Sequence, residues 1–285
     1  MQPIFDSELL IVRKRRALSA AVPGASFLLD RAVDDFGERL STVERRFDKA
    51  AALFCLTPAA SDAILASGKA GSVLRIEADA ALLGGDDGRV GSLDHIPLEP
   101  ESLDLAVSLL SLHEANDIPG ALIQIRRALR PDGLFLGAMA GGGTLAELRE
   151  SLIAAETEVY GGASPRVAPF TDVRDAGALL QRAGFALPVA DVETLTVRYD
   201  SMFGLIRDLR AMGAANALVD RSRRPVSRRL FMRAAEIYAE RFSDPDGRVR
   251  ATFAFIWMSG WAPHASQQKP LKPGSATVSL TDILK

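Results

Sequence analysis

The sequence predicts an α/β fold in which a mostly parallel sheet carries helices on both faces. Short apolar runs alternate with helical segments from Ala51 to Ala140, the order that builds parallel strands joined by crossover helices. The runs Ala51–Leu56 and Leu103–Leu112 are of strand length and apolar enough to be buried. The chain has 285 residues, enough for one large α/β domain with an insertion.

Two helices come first. Asp6 to Ala20 is short and strongly basic. Ser26 to Val43 places Leu29, Val33, Phe36, Leu40 and Val43 at steps of four and three, an apolar stripe that packs on a core. The strand Ala51–Leu56 leads to a helix with Pro58 at its first turn and Gly68 near its end. Ser72–Asp79 reads as the next strand, followed by a short helix from Ala80 and a turn-rich stretch to Ser102. Leu103–Leu112 is the most apolar strand. A helix over Asp117–Leu129, a turn at Pro131–Gly133 and a strand over Leu134–Ala140 follow. After the glycine run Gly141–Gly143, Thr144 and Glu147 read as a capping box opening a helix through about Val159. Gly161–Phe170 is a loop, Asp172–Ala183 a helix stopped by Gly184, and Asp191–Tyr199 an alternating strand. Helices over Ser201–Met212 and Arg228–Phe242 precede a last strand, Ala251–Trp261, and a tail from Pro263 expected to be partly extended. The expected organisation is an N-terminal helical arm (1–48), a sheet core (49–200), a helical insertion (201–249), and a last strand with tail (250–285). Ligands of such sheets bind at the carboxyl ends of the strands.

A formal net charge of -2 argues against a generic nucleic-acid binder. The single cysteine, Cys55, excludes an intramolecular disulfide and a cysteine-rich zinc site and fits a reducing compartment. No apolar run approaches the roughly 18 residues of a membrane span. The first residues place their apolar side chains before the basic ones, the reverse of a secretory signal. The expected location is the cytoplasm.

The runs Leu109–Arg149 and Ser164–Phe185, with the tryptophan-containing C-terminal stretch, resemble one branch of the class I S-adenosylmethionine-dependent methyltransferases. That branch contains the methyltransferase-like assembly factor of respiratory complex I and, more distantly, the carrier-protein methyltransferase of biotin synthesis. The resemblance extends from Ser26 to about Leu280. It implies a Rossmann-like class I methyltransferase fold, S-adenosylmethionine as cofactor, no metal, and a complex I subunit as partner. It also implies a Gly-x-Gly-x-Gly loop after the first strand, where glycine lets the backbone approach the ligand. Aligned on strand and helix, those positions fall at Cys55, Thr57 and Ala59, with Leu56 and Pro58 between them. All three glycines are gone, which points to loss or severe weakening of cofactor binding. The ribose-binding acid that the resemblance implies falls at Asp79, with Glu77 two residues earlier; read from the residues alone, Asp79 is equally a helix cap, and Cys55 and Leu56 are core strand residues. The adenine-side aspartate falls at Ser92, with Asp94 nearby.

His113, with Asn116 and Asp117 behind it, follows the most apolar strand and belongs at the carboxyl edge of the sheet. It reads either as a general base near neutral pH or as a rim residue beside a helix cap at Asp117. His95 and His264 are isolated, so no metal pattern is visible. Gly141–Gly143 reads either as an anion cradle or as a plain strand-to-helix loop. Glu156, Glu158 and Tyr160 face either the cleft or solvent. Two basic clusters, Arg13–Arg16 and Arg221 to Arg233, are either solvated faces or contacts for an acidic protein or anionic membrane surface. Trp257 and Trp261 share one strand face and read as core.

Two functions stay open. One is a non-catalytic or weakly catalytic protein-binding factor in complex I assembly. The other is an active methyltransferase or arginine hydroxylase using S-adenosylmethionine.

Overall fold

The computed structural model describes residues 2–267. Helices α1 (Ser7–Ala20) and α2 (Phe27–Ser41) lead into β1 (Phe47–Leu53), α3 (Ala59–Ala66), β2 (Ala70–Glu77), α4 (Ala80–Leu83) and β3 (Gly88–Val90). Next come β4 (Leu103–Leu109), α5 (Ile118–Ala128), β5 (Leu129–Ala140), α6 (Ala146–Tyr160) and α7 (Val173–Arg182). The chain continues through β6 (Ala186–Tyr199), α8 (Met202–Ala211), α9 (Arg228–Phe242) and β7 (Val249–Trp261). The seven strands form one sheet in the order β3-β2-β1-β4-β5-β7-β6. The first five are parallel, and β7 runs antiparallel between β5 and β6. This is the class I methyltransferase fold with its helices on both faces. The predicted helical insertion sits between β6 and β7, and the tail beyond residue 267 lies outside the described residues.

Hydrophobicity decides which strands are central. β4 and β7 are buried on both faces and read as continuous apolar runs, whereas edge strand β6 alternates half-buried with exposed residues. On one face, α2 and α9 contribute Phe36, Leu40, Leu230 and Tyr238 to a core that includes Trp257. On the other, Leu122 and Ile125 of α5 and Leu180 of α7 pack on Phe135 and Ile256. In α2 the fully buried line is Leu28, Ala32, Phe36 and Leu40, with Leu29 and Val33 at its flank. The stripe is therefore turned slightly from the predicted one. Trp257 is core, as expected, with the Arg39 guanidinium 4.5 Å from its ring centroid. Trp261 is half-buried beside it, under Arg45.

Several local readings change: β5 runs from Leu129 through the expected Pro131–Gly133 turn, with Asp132 at φ 66°, and β6 begins at Ala186 rather than Asp191. β1 and β2 each start and end earlier than the sequence suggested, which moves the residues that follow them. Leu110–Leu112 leaves the sheet, with Leu110 at φ 55°. The turn-rich stretch contains β3, whose three exposed residues give no apolar signal. Finally, Thr144 and Glu147 are not a capping box. Thr144 Oγ1 accepts the Ala254 N–H at 3.0 Å, and Glu147 accepts the Thr252 N–H and hydroxyl. Both side chains stitch the start of α6 to β7, a partner that local spacing cannot reveal.

The cap at Asp117 is real. Its Oδ1 accepts the Gly120 N–H at 2.9 Å, and a Cβ at Gly120 would stand 2.2 Å from Asp117 Oδ2. Asp117→Ala is expected to cost about 1 kcal/mol, read as a lower urea midpoint at unchanged slope.

Candidate functional site

A cavity of about 820 Å³ opens at the carboxyl edge of the sheet. Its floor is the ends of β1 and β4 and the residues after them; α1, the 213–217 segment and the loop before α7 wall it. A second pocket of about 60 Å³ lies beside it, next to the end of β2. Phe54, Leu10, Lys14 and Glu114 line both, and so form the partition.

The β1 loop has the backbone of a glycine loop without its glycines. Phe54 lies at φ 55° and Leu56 at φ 66°, left-handed conformations that cost a side-chain-bearing residue about 1–2 kcal/mol each. The two left-handed positions stand one residue before those assigned from sequence to Cys55 and Thr57. Pro58, the N-cap of α3, has right-handed helical backbone at φ -68°, so the left-handed alternation stops at Leu56. Cys55 instead points into the core, where burial, and then the Glu77 charge, push its thiol up to about 12. Thr57 lines the cavity and accepts the Ala59 N–H at 3.4 Å. Ala59 is the first residue of α3.

The acid at the end of β2 is Glu77, not Asp79. Asp79 caps α4, accepting the Ala81 N–H at 2.8 Å, with Arg15 3.8 Å away. Glu77 is 2% exposed, lines the small pocket, and leaves Oε1 without a hydrogen-bond partner. Burial pushes its carboxyl up to about 7, against the pull of Lys14, Arg75 and the Leu56 N–H. Ser92 and Asp94 line the same pocket from a tight turn in which Ser92 and His95 exchange backbone hydrogen bonds.

His113 lines the large cavity, its ring 5.9 Å from that of Phe170. Its Nδ1 accepts the Ala140 N–H at 3.3 Å, so the ring proton sits on Nε2. Burial lowers its pKa, helped by Lys14 and opposed by Glu114. In this arrangement His113 offers a donor through Nε2. His95 and His264 are exposed and remote from it, and no group of three potential metal ligands exists among the described residues.

The glycine run is a loop. Gly141 donates to Ala254 O and Gly142 to Thr171 O, which spends two of the three N–H groups an anion would need. Glu156 is buried and holds the preceding-helix loop of α7. It accepts the Ser164 N–H and hydroxyl at 2.9 and 2.8 Å and Arg166 Nη2 at 2.6 Å. Burial opposes its ionisation, but those donors outweigh it and keep the carboxyl below the usual range. Glu158 pairs with Arg233 at the surface, and the exposed Tyr160 hydroxyl meets Ser227.

The arm α1 is fastened from both sides. Asn116 Oδ1 accepts the Ile4 and Phe5 N–H groups at 2.8 Å each, Lys14 pairs with Glu114, and Arg221 reaches Asp6 at 2.9 Å. Sequence reading placed Arg13–Arg16 on a surface cluster; Arg13 and Lys14 in fact line the cavity. A weak signal existed, because Leu10, Arg13, Lys14 and Ala17 repeat at helical spacing. Of the late cluster, Arg223, Arg224, Arg228 and Arg229 are exposed with no acidic partner within 4 Å among the described residues.

S-adenosylmethionine would have to reach from Glu77 across the β1 loop into the large cavity. Glu77, with its orphaned oxygen, suits a ribose diol. The small pocket, however, holds only about two waters at ~30 Å³ each, and Phe54 separates it from the large one. As arranged, the residues do not fit the cofactor as one continuous site.

A family model described as a methyltransferase domain matches residues 61–137, beginning past the altered loop. The arginine-hydroxylase NDUFAF5, mitochondrial, of Danio rerio is 46% identical over 192 residues, covering 67% of this chain and 60% of that protein. The Homo sapiens protein of the same name is 46% identical over 192 residues, covering 67% and 55%. A malonyl-[acyl-carrier protein] O-methyltransferase of Laribacter hongkongensis is 36% identical, covering 64% and 59%. The chain thus spans about 60% or less of the length of these relatives. A Bacillus halodurans protein solved as a methyltransferase superposes at a TM-score of 0.56 and 13% identity, over 81% of this chain and 98% of its own. The YcgJ protein of Bacillus subtilis does so at 0.54 and 14%, over 81% and 99%. These two likenesses concern the fold alone.

Proposed function

We propose, from the premise that this chain is a class I methyltransferase-fold protein similar to the NDUFAF5 arginine hydroxylases, that it is a protein-binding factor of respiratory complex I assembly that does not employ S-adenosylmethionine. The observation that carries this reading is the β1 loop, where Phe54 and Leu56 hold left-handed backbone with side chains directed at the cavities. Electrostatics add to it. S-adenosylmethionine is net positive, and four cationic side chains, Arg13, Lys14, Arg166 and Arg210, line the cavity against the single carboxylate of Glu114. The exposed, unpaired Arg223, Arg224, Arg228 and Arg229 give the partner's chemistry: an acidic protein surface, met in the cytoplasm.

A second reading, an active S-adenosylmethionine enzyme such as an arginine hydroxylase, is favoured by the buried Glu77 carboxylate at the end of β2, whose Oε1 has no hydrogen-bond partner among the described residues. Calorimetric titration with S-adenosylmethionine and S-adenosylhomocysteine separates the two. The expected result is no binding at millimolar ligand; micromolar binding of either ligand overturns the proposal. Disrupting the gene is expected to lower the level of assembled complex I, and a normal level rejects the assembly role.

A further inference from the structure

The large cavity is built for a ligand of a different kind. Its walls are mainly apolar, with Leu28, Leu109, Leu148, Phe231 and Phe255 among them, and its volume of about 820 Å³ is that of a small-molecule site. Against this apolar lining stands a surplus of positive charge. Lys14 is neutralised by Glu114, and Arg166 by Glu156. Arg13 and Arg210 have no acidic partner within 4 Å among the described residues.

Arg13 is the more telling of the two. Its Nη1 is buried with no hydrogen-bond acceptor. The nearby carboxylate, Asp6, is already committed to Arg221 at 2.9 Å and to the Leu9 N–H at 3.1 Å. Arg13 as a whole is half-buried, but a guanidinium stays charged at any ordinary pH, and its Nη1, shielded from water with no acceptor among the described residues, is a donor left unsatisfied at a cost. An anion entering the cavity removes that cost. A polyphosphate would demand polar walls that this cavity lacks. A single carboxylate on an apolar body satisfies both the lining and the charge.

We propose that the cavity binds an amphipathic monocarboxylate, with its apolar chain along the leucine and phenylalanine walls and its carboxylate on Arg13. The proposal rests on the preceding reading in one respect only: S-adenosylmethionine does not fill this space.

The test is displacement of a fluorescent polyene fatty acid from the full-length protein by dodecanoate and by dodecanol. Dodecanoate is expected to compete, and to bind about tenfold or more tightly than the neutral alcohol, the worth of one charge-assisted hydrogen bond. Arg13→Met is expected to remove that preference while leaving dodecanol unchanged, and Arg13→Lys to keep part of it. Should Arg13→Met fail to fold by circular dichroism, the wild-type preference still decides. No uptake of probe, or equal affinity for the acid and the alcohol, overturns the proposal. A preference that survives in a folded Arg13→Met protein overturns it as well. S-adenosylmethionine added to the same sample examines the preceding reading separately, since micromolar binding overturns that reading whatever dodecanoate does.

Discussion

Replacing Glu77 with glutamine is expected to stabilise the protein by about 3 kcal/mol at pH 8 and to change little near pH 4. The carboxyl is pushed up to about 7 from 4.5, first by burial. Below about pH 4.5 it is protonated in both the folded and the unfolded chain and contributes no difference. Between about 4.5 and 7 the unfolded chain releases the proton while the folded one keeps it. Stability therefore falls as pH rises through this window and levels off above it. Glutamine has no proton to lose, so the variant escapes the fall. Glutamine gives up the ion pair of Glu77 with Arg75 at 3.7 Å, but Arg75 keeps Asp86 and the Leu83 carbonyl as partners. Urea unfolding of both proteins from pH 4 to 8 measures the gap. A gap that shrinks with pH, or one of constant size, means that Glu77 is ionised in the native state.

The second large effect concerns the loop. In a Phe54→Gly, Leu56→Gly protein, S-adenosylmethionine is expected to go from no detectable binding at millimolar concentration to at least about tenfold tighter, measurable binding. Glycine takes left-handed φ freely, and removing the Phe54 ring joins the small pocket to the large cavity. Truncating buried Phe54 costs about 3–5 kcal/mol, and relief of two left-handed positions returns about 2–4 kcal/mol, so a slightly destabilised fold is expected. Titration calorimetry on the double variant, with a thermal melt alongside, gives both quantities. If the cofactor still does not bind, the closure lies with Leu10 and Lys14 of α1 and not with the loop.

The fold was legible because its signal is local. Continuous apolar runs at β1, β4 and β5, with helices between them, fix a parallel sheet, and β7's apolar run places it inside that sheet. The site was legible only to within a residue or two. The left-handed positions, Phe54 and Leu56, lie one residue before Cys55 and Thr57, because the end of β1 is set by hydrogen-bonded register, Phe54 N–H to Ile76 O at 2.7 Å. Composition does not fix that register. The helix-cap reading of Asp79 holds, since that signal is local, whereas the burial of Glu77 at the end of β2 depends on tertiary placement that its sequence neighbours do not show. Thr144 and Glu147 carried a valid local capping signal that a neighbouring strand outbid. Arg13 looked like one charge in a run, because the partners of α1 lie from 64 to 215 residues away in sequence.

Those distant partners govern the order in which the molecule can be completed during synthesis. Asn116 must exist before residues 4 and 5 have an anchor, and Arg221 before Asp6 has its counter-charge. At about 5–20 residues per second, roughly 10–40 seconds separate the appearance of Asp6 from that of Arg221. Over that interval α1 has no complete surface to dock on, and a helix of 14 residues is marginal by itself. The cavity is therefore among the last features a nascent chain acquires. A ribosome-bound chain that stops short of residue 221 carries the parallel strands β1 to β5, without β7 to bring β6 into the sheet and without the closed site.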